Sequence, residues 1–251
     1  MSGHSKWANI KHRKAAQDAK RGNLFQKLVR AIIVAAKNGG GDPSMNIQLK
    51  TAIDRARAAS VPNDNIDRAI KRGTGEIEGA NYEEITYEGY GSNGIALMIE
   101  ALTDNRNRTA ADMRAILSRG GGSLGESGCV AWMFERKGIV EVKGENLDEE
   151  ALLMACLDAG AEDMETQEDG YIIYTDSSAV NDVQEALKKA GYAVTRAETD
   201  MIPNSTIAIE AKEQAVKILR LMDNLEEHDD VQNVYANFDI PDELMAQIEA
   251  E

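Results

Sequence analysis

The chain has 251 residues, 28 Lys+Arg against 43 Asp+Glu for a formal net charge of −15, 43% hydrophobic residues and two cysteines, which is a length for one to two domains or three small ones. No apolar run approaches the ~18 residues that cross a bilayer, the basic start MSGHSKWANIKHRK lacks the apolar stretch of a secretory signal, and Cys129 and Cys156 make no disulfide framework and no C-x-x-C pair. Membrane-spanning, secreted disulfide-stapled, collagen-like and wholly disordered chains are thereby excluded, and a reducing cytoplasm is the expected home.

The charge is unevenly placed. Residues 1–80 carry 15 Lys+Arg against 7 Asp+Glu, a net of +8, while residues 81–251 carry 13 against 36, a net of −23. At physiological salt charges are screened beyond roughly 8 Å, so a local basic patch attracts phosphate in spite of distant acidic surface. Residues 1–22 hold Lys6, Lys11, Arg13, Lys14, Lys20 and Arg21 against the single acid Asp18, with little apolar surface beyond Trp7 and Ile10. Such a stretch reads as an arm that orders on a partner.

Three helices are expected over about 23–73. Leu24, Leu28, Ala31, Ile32 and Ala35 share one helical face, and Gly39-Gly40-Gly41 ends it. Pro43-Ser44 restarts a helix to residue 60 with Met45, Leu49, Ala52, Ile53 and Ala56 inward, and Pro62 divides it from a short helix over 63–72. After the Gly-rich linker GTGEIEGAN, strands are predicted at Tyr82–Tyr90 and Ile95–Leu102, a helix at Arg108–Arg119, and strands at Val130–Phe134 and Ile139–Val142. The order strand 139–143, helix 147–159, strand 161–166, strand 170–175, helix 179–190, strand 192–198 is the β-α-β-β-α-β ferredoxin-like arrangement. The elements before it read as a second such unit, β-α-β-β, whose closing helix 208–226 and strand 231–238 come at the C-terminal end. The expected fold is therefore α+β: a basic N-terminal helical domain (1–80) followed by two ferredoxin-like domains, one (137–203) inserted in the other (81–136 plus 204–251).

Several short motifs do not survive inspection of their context. GYGSNG (89–94) fits G-x-G-x-x-G, but a strand follows it instead of a helix, so a glycine-rich turn is the reading. GGSLG (121–125) fits the nucleophile elbow with helix and strand in the reverse order, which leaves Ser123 a loop serine. The run Glu226-Glu227-His228-Asp229-Asp230 lacks any metal-ligand spacing and reads as a solvated loop, and the two cysteines read as small buried hydrophobes. No cofactor, metal or catalytic residue is assigned.

The basic residues remain. Lys6, Lys11, Arg13, Lys14, Lys20 and Arg21 are the candidate phosphate contacts, extended by Lys27, Arg30, Arg68, Lys71 and Arg72. Trp7 either stacks on an unpaired base or packs under the bundle. Helices 44–60 and 63–72 superficially resemble helix-turn-helix, although Asp64 and Asp67 on the second would repel a phosphate backbone. Asn105-Arg106-Asn107-Arg108-Thr109 opens a helix, where Arg106 and Arg108 would make an anion site and the same stretch would cap the helix.

In the arm MSGHSKWANIKHRKAAQDAKRGNLF, in VPNDNIDRAIKRGTG, in YEGYGSNGIALMIEALTDNRNRT and in GGSLGESGCVAWMFERKG, the chain resembles the YebC family over essentially its whole length. The resemblance implies three domains, one inserted in another, and no catalytic activity or cofactor. It implies a DNA-binding regulator of transcription or, as in similar mitochondrial translational activators and in bacterial members linked to ribosomes stalled on proline-rich chains, a factor that binds ribosomal RNA. The expected partner is thus nucleic acid, with the ribosome as the alternative, without membrane association; the sequence leaves the oligomeric state open and is compatible with a monomer. A long cationic arm with few base-reading side chains suits recognition of shape and phosphate.

Overall fold

The computed structural model describes residues 21–144, 147–167 and 170–249. Its first helix, α1 (Arg21–Gly39), buries Ile32, Ile33, Ala35 and Ala36 against Leu49, Ala52, Ile53 and Ala56 of α2 (Ile47–Ala58) and Ile66 and Ala69 of α3 (Asn63–Gly73). The predicted restart at Pro43-Ser44 moves to Ile47, because Asp42 Oδ1 accepts from the amide and hydroxyl of Ser44 and holds those residues in a turn. Asn46 then caps α2, accepting from Leu49 N at 3.0 Å, while its Nδ2 donates to Ala35 O at 2.8 Å and Gly40 O at 2.9 Å. One amide thus ties the end of α1 to the start of α2. At Gly73 a Cβ would stand 2.4 Å from Ile33 O, so the α1–α3 crossing has room only for glycine.

Beyond the linker, β1 (Glu83–Tyr90) pairs antiparallel with β2 (Ala96–Thr103) around a 3-10 turn, Ser92–Gly94, in which Asn93 (φ 61°) and Gly94 (φ 75°) are left-handed. This is the strand–turn–strand setting predicted for GYGSNG. Helix α4 (Arg106–Arg119) starts two residues earlier than expected, capped by Asn105, whose side chain accepts from Arg108 N at 3.1 Å. It is followed by β3 (Ser123–Leu124), paired with the end of β1. The local order is β-β-α-β, which follows the sequence of the predicted elements but not the β-α-β-β unit they were expected to form.

The strand expected at 130–134 is replaced by a 3-10 turn, Ala131–Met133, and one continuous strand, β4 (Phe134–Lys143). No break occurs at Lys137-Gly138, because both residues are paired on each side, with Asp176 and Thr175 on one and with Asp200 and Thr199 on the other. Then come α5 (Glu149–Asp158), β5 (Ala161–Gln167), β6 (Gly170–Asp176), α6 (Val180–Lys189) and β7 (Ala193–Pro203), which runs five residues past the expected end. The sheet order β5-β6-β4-β7, all antiparallel, is that of a ferredoxin-like unit. Leu152 and Cys156 of α5 and Val180, Val183 and Leu187 of α6 cover Val140, Val142, Tyr171 and Ile173 on one face. Trp132–Ser205 form one compact unit; the described residues before and after them form the other.

The chain then returns through β8 (Ile207–Ala208), α7 (Lys212–Glu227), β9 (Val231–Ala236), β10 (Phe238–Asp239) and α8 (Asp242–Glu249). The predicted helix 208–226 begins only at Lys212, because Ile207–Ala208 pair parallel with β10. The predicted strand 231–238 divides at Asn237, whose Oδ1 accepts from Ala96 N at 2.7 Å. In the resulting sheet, β3-β1-β2-β9, Leu97 and Ile99 of β2 face a core made by Met113 and Leu117 of α4 and Ile218, Leu221 and Leu225 of α7. The fold is α+β: N-terminal helices, then antiparallel sheets each packed with helices. No helix among the described residues is long and apolar enough to cross a membrane.

Candidate nucleic-acid interface

Helix α3 turns Ile66 and Ala69 into the bundle, and that geometry puts Asn65, Arg68 and Lys71 on its exposed face. Among the described residues Arg68 and Lys71 make no ion pair. Phe25, Val29 and Ile33 of α1 and Ala69 of α3 floor a cleft of about 260 Å³ whose polar lining is Gln26, Asn65, Arg68 and Arg72. Arg72 is half-buried there, its Nε without a hydrogen-bond partner and its side chain lying against Gly79. The cleft thus pairs an apolar, aromatic floor with two guanidinium groups, a combination that takes a flat base and a phosphate together. Asp64 and Asp67 are exposed on the same helix.

The other predicted cations of the bundle point elsewhere. Lys27 donates its ammonium to Glu226 O, Arg30 donates to Asp229 O and, at 2.9 Å, to Asp230 Oδ1, and Asn23 Nδ2 donates to Glu227 O at 2.9 Å. Arg30 also lies over the Tyr82 ring, 5.2 Å from its centroid. On the far side of Asp230, Arg108 donates to Oδ2 at 2.8 Å and the Thr109 hydroxyl donates to the same oxygen at 2.7 Å. Arg108 also binds Asp104 at 2.9 Å. Burial works against the Asp230 charge, but the hydrogen bonds from Arg108 and Thr109 and the charges of Arg108 and Arg30 outweigh it and hold the carboxyl below its ordinary range.

Two corrections follow. The run 226–230 is not a solvated loop, since Asp230 is 2% exposed and its neighbours' carbonyls anchor α1. Its side chains also do not converge: Asp230 faces arginines, whereas His228 approaches Asp112 at 3.2 Å through Nε2 and accepts from Asp230 N at 3.1 Å through Nδ1. The anion site expected at the start of α4 is filled by the protein's own Asp230. Lys27 and Arg30 are thus bonded to the α7–β9 turn, and Arg108, although 47% exposed, is paired with Asp104 and Asp230. Arg106 is exposed at the helix start and lies 3.8 Å from Glu83.

Lys6, Trp7, Lys11, Arg13, Lys14 and Lys20 lie outside the described residues, and Arg21 is the first residue of α1. Sequence reasoning placed Asp230 in a solvated loop and passed over Glu88, a buried carboxylate on β1 that accepts from the amides of Gly128 (2.6 Å), Val130 (2.8 Å) and Ala131 (2.8 Å). Burial raises the Glu88 proton affinity, but those three amides more than offset it and lower the pKa. Strand alternation gave no signal for it, because Glu84 and Thr86 on the same side are exposed. Ser123, expected in a loop, instead lies in the two-residue strand β3 after α4, where it pairs with Tyr90 of β1. Cys156 is buried, its thiol pushed up to about 11 by burial, whereas Cys129 is only half-buried. Among the described residues no group of three or more His, Cys, Asp and Glu is placed to hold a metal ion.

Comparison with known proteins is consistent along the whole chain. Residues 5–76 match the family described as "TACO1/YebC protein N-terminal domain", and residues 82–238 the one described as "TACO1/YebC second and third domain". A protein of Halothermothrix orenii is 54% identical over 253 residues, covering 100% of both chains, and one of Pelotomaculum thermopropionicum is 57% identical over 244 residues, covering 96% of this chain and 100% of its own. Each is named a probable transcriptional regulatory protein. The crystal structure of a conserved hypothetical protein from Aquifex aeolicus superposes with a TM-score of 0.80 at 48% identity, covering 90% of this chain and 93% of that one. The chain belongs to the TACO1/YebC family.

Proposed function

We propose that this protein is a non-enzymatic regulator of gene expression that binds nucleic acid through its basic N-terminal domain, residues 1–80, and carries the acidic 81–136 plus 204–251 and 137–203 domains as its body. The names of its relatives support a transcriptional regulator, which makes duplex DNA the first ligand to test. The observation that carries the reading is the α1–α3 cleft: Phe25 in its floor, Arg68 and Arg72 in its lining and exposed Lys71 one turn from Arg68, in a segment with a net charge of +8. In this reading Lys6, Lys11, Arg13, Lys14, Lys20 and Arg21 add phosphate contacts, Trp7 is a stacking residue, and Arg106 adds a peripheral charge.

A second reading, ribosomal RNA as the ligand, draws support from Asp64 and Asp67. Exposed carboxylates on the helix that would enter a DNA major groove oppose the backbone on either side of it. Unpaired bases presented by folded RNA can reach a cleft without that insertion.

Salt titration of binding tests the reading. The six arm contacts alone give a slope of log K against log [salt] of about −5 on duplex DNA and about −4 on single strands, and Arg68 and Lys71 steepen it further. Arg68→Gln with Lys71→Gln is expected to make that slope shallower by about 1.4 on single-stranded RNA or about 1.8 on duplex DNA. A slope unchanged by the double substitution refutes the assignment of α3. Sedimentation of a lysate with and without RNase chooses the target: migration with ribosomal particles, lost on RNase treatment, favours RNA over DNA.

A further inference from the structure

Four of the 13 Lys and Arg residues in the acidic stretch 81–251 meet at one place. Arg119, at the end of α4, and Lys212, Lys217 and Arg220, on α7, line a groove of about 820 Å³ together with Gly120, Glu213, Val216, Leu221 and Asn224. Arg119, Lys217 and Arg220 are exposed and, among the described residues, make no ion pair, in contrast to Arg108, which is held by Asp104 and Asp230. Glu213 is the single carboxylate in the lining. The groove exists because Gly120 lets α4 end against α7: a Cβ there would stand 2.7 Å from Leu221 Cδ1. Gly121, at φ 77°, then turns the chain beneath Lys217, whose Nζ would lie 2.5 Å from a Cβ. Three unpaired cations along a recess in an otherwise anionic domain amount to a local field of opposite sign, which selects a polyanion.

We infer that this groove is a second nucleic-acid contact, taking the phosphate backbone of a single-stranded RNA segment. The inference rests on the proposed nucleic-acid function and extends it to a domain whose overall charge argues the other way. A recess suits a single strand, which a positively charged groove can follow phosphate by phosphate. RNA is the strand that cells present unpaired, in loops, bulges and ends.

The test uses the full chain, a fluorescein-labelled unstructured RNA of about 20 nucleotides, long enough to span more than one site, and the same sequence as duplex DNA. Arg119→Gln, Lys217→Gln and Arg220→Gln are combined in one variant, and Arg68→Gln with Lys71→Gln in another. Losing three contacts to a single strand is expected to make the salt slope shallower by about 2 and to weaken RNA binding about a hundredfold at 0.1 M salt. A 4-thiouridine RNA is expected to cross-link to peptides containing residues 212–220. Unchanged RNA binding by the groove variant, with loss in the α3 variant, overturns the groove while leaving the proposed function standing. Loss confined to duplex DNA overturns the RNA assignment. Failure of the unsubstituted chain to bind either ligand overturns the groove and the proposed function together. An unchanged melting temperature of the groove variant separates lost contacts from lost folding.

Discussion

Asp230→Asn is the most informative substitution, because a single carboxylate joins α1, α4 and the α7–β9 turn. The amide keeps the size and one acceptor oxygen but removes the charge that faces two guanidinium groups, and it turns an N–H toward one of them. Removing one partner of a buried pair costs about 3–5 kcal/mol when the other charge stays trapped. Arg30 is trapped, with a side chain 15% exposed, but Arg108 is 47% exposed and can be rehydrated, so its share is discounted. The expected loss is about 2–3 kcal/mol, or roughly 5–10 °C in the melting transition of a unit this large. Calorimetry measures it, and hydrogen exchange locates it, with faster exchange expected in α1 and around residues 226–231. The pH dependence supplies a second check. The folded pKa of Asp230 lies below its ordinary value of 3.8, so its stabilisation is fully present above that value and fades as pH falls through the folded pKa. The gap between wild type and Asp230→Asn is thus constant from pH 5 to 7 and narrows below about pH 4. A shift under 1 °C at pH 7, or a gap that widens in acid, refutes this account of the cluster.

Glu88→Gln is expected to cost about 2–3 kcal/mol, since an amide cannot accept from Gly128, Val130 and Ala131 with the strength of a carboxylate, and limited proteolysis should find new cleavage within 125–131. Gly122→Ala places a Cβ 2.2 Å from Tyr90 O, a backbone atom that cannot swing aside, so β3 must part from β1; a loss of about 3 kcal/mol is expected in denaturant unfolding. Asn46→Ala removes the cap of α2 and its two links to α1, and about 2 kcal/mol should be lost by the same measurement. Lys27→Gln is expected to lower the melting temperature while leaving the salt slope of nucleic-acid binding unaltered, because its ammonium bonds to Glu226 O.

The elements with a clear period were legible without coordinates. Ile32 and Ala35 of α1 and Leu49, Ala52, Ile53 and Ala56 of α2 are buried at the expected helical spacing, whereas Leu24 and Met45, expected inward, are exposed at the ends of the bundle's apolar faces. The β-α-β-β-α-β order was readable from strand segments bounded by turn residues and alternating with helical ones. Failures came where a side chain overrides local preference. Asn237 divides an apolar run into β9 and β10 by capturing Ala96 N, a partner 141 positions away. Gly138 lies between the strands expected at 130–134 and 139–142 and is paired on both sides within the single strand β4. The Asp42–Ser44 turn delays α2 although proline and serine there read as a helix start.

The candidate surface was legible as composition and illegible as direction. A count of lysines and arginines treats Lys27, Arg30, Arg68 and Lys71 alike, but the structure divides them by helix face. Those on one side of α1 meet the carbonyl ends of the α7–β9 turn, and those on α3 meet solvent. The division depends on Asp230, which stands immediately before the buried Val231 and is drawn inward with it. A carboxylate at that depth requires cations around it, and the basic N-terminal helices are where the chain has cations to spare. The same excess positive charge therefore has two uses: part of it fastens the helical bundle to the anionic middle domain, and the remainder is left outward beside an aromatic-floored cleft. Arg30→Gln and Arg68→Gln separate the two uses, the first lowering stability at unchanged salt slope and the second reducing the slope at unchanged stability.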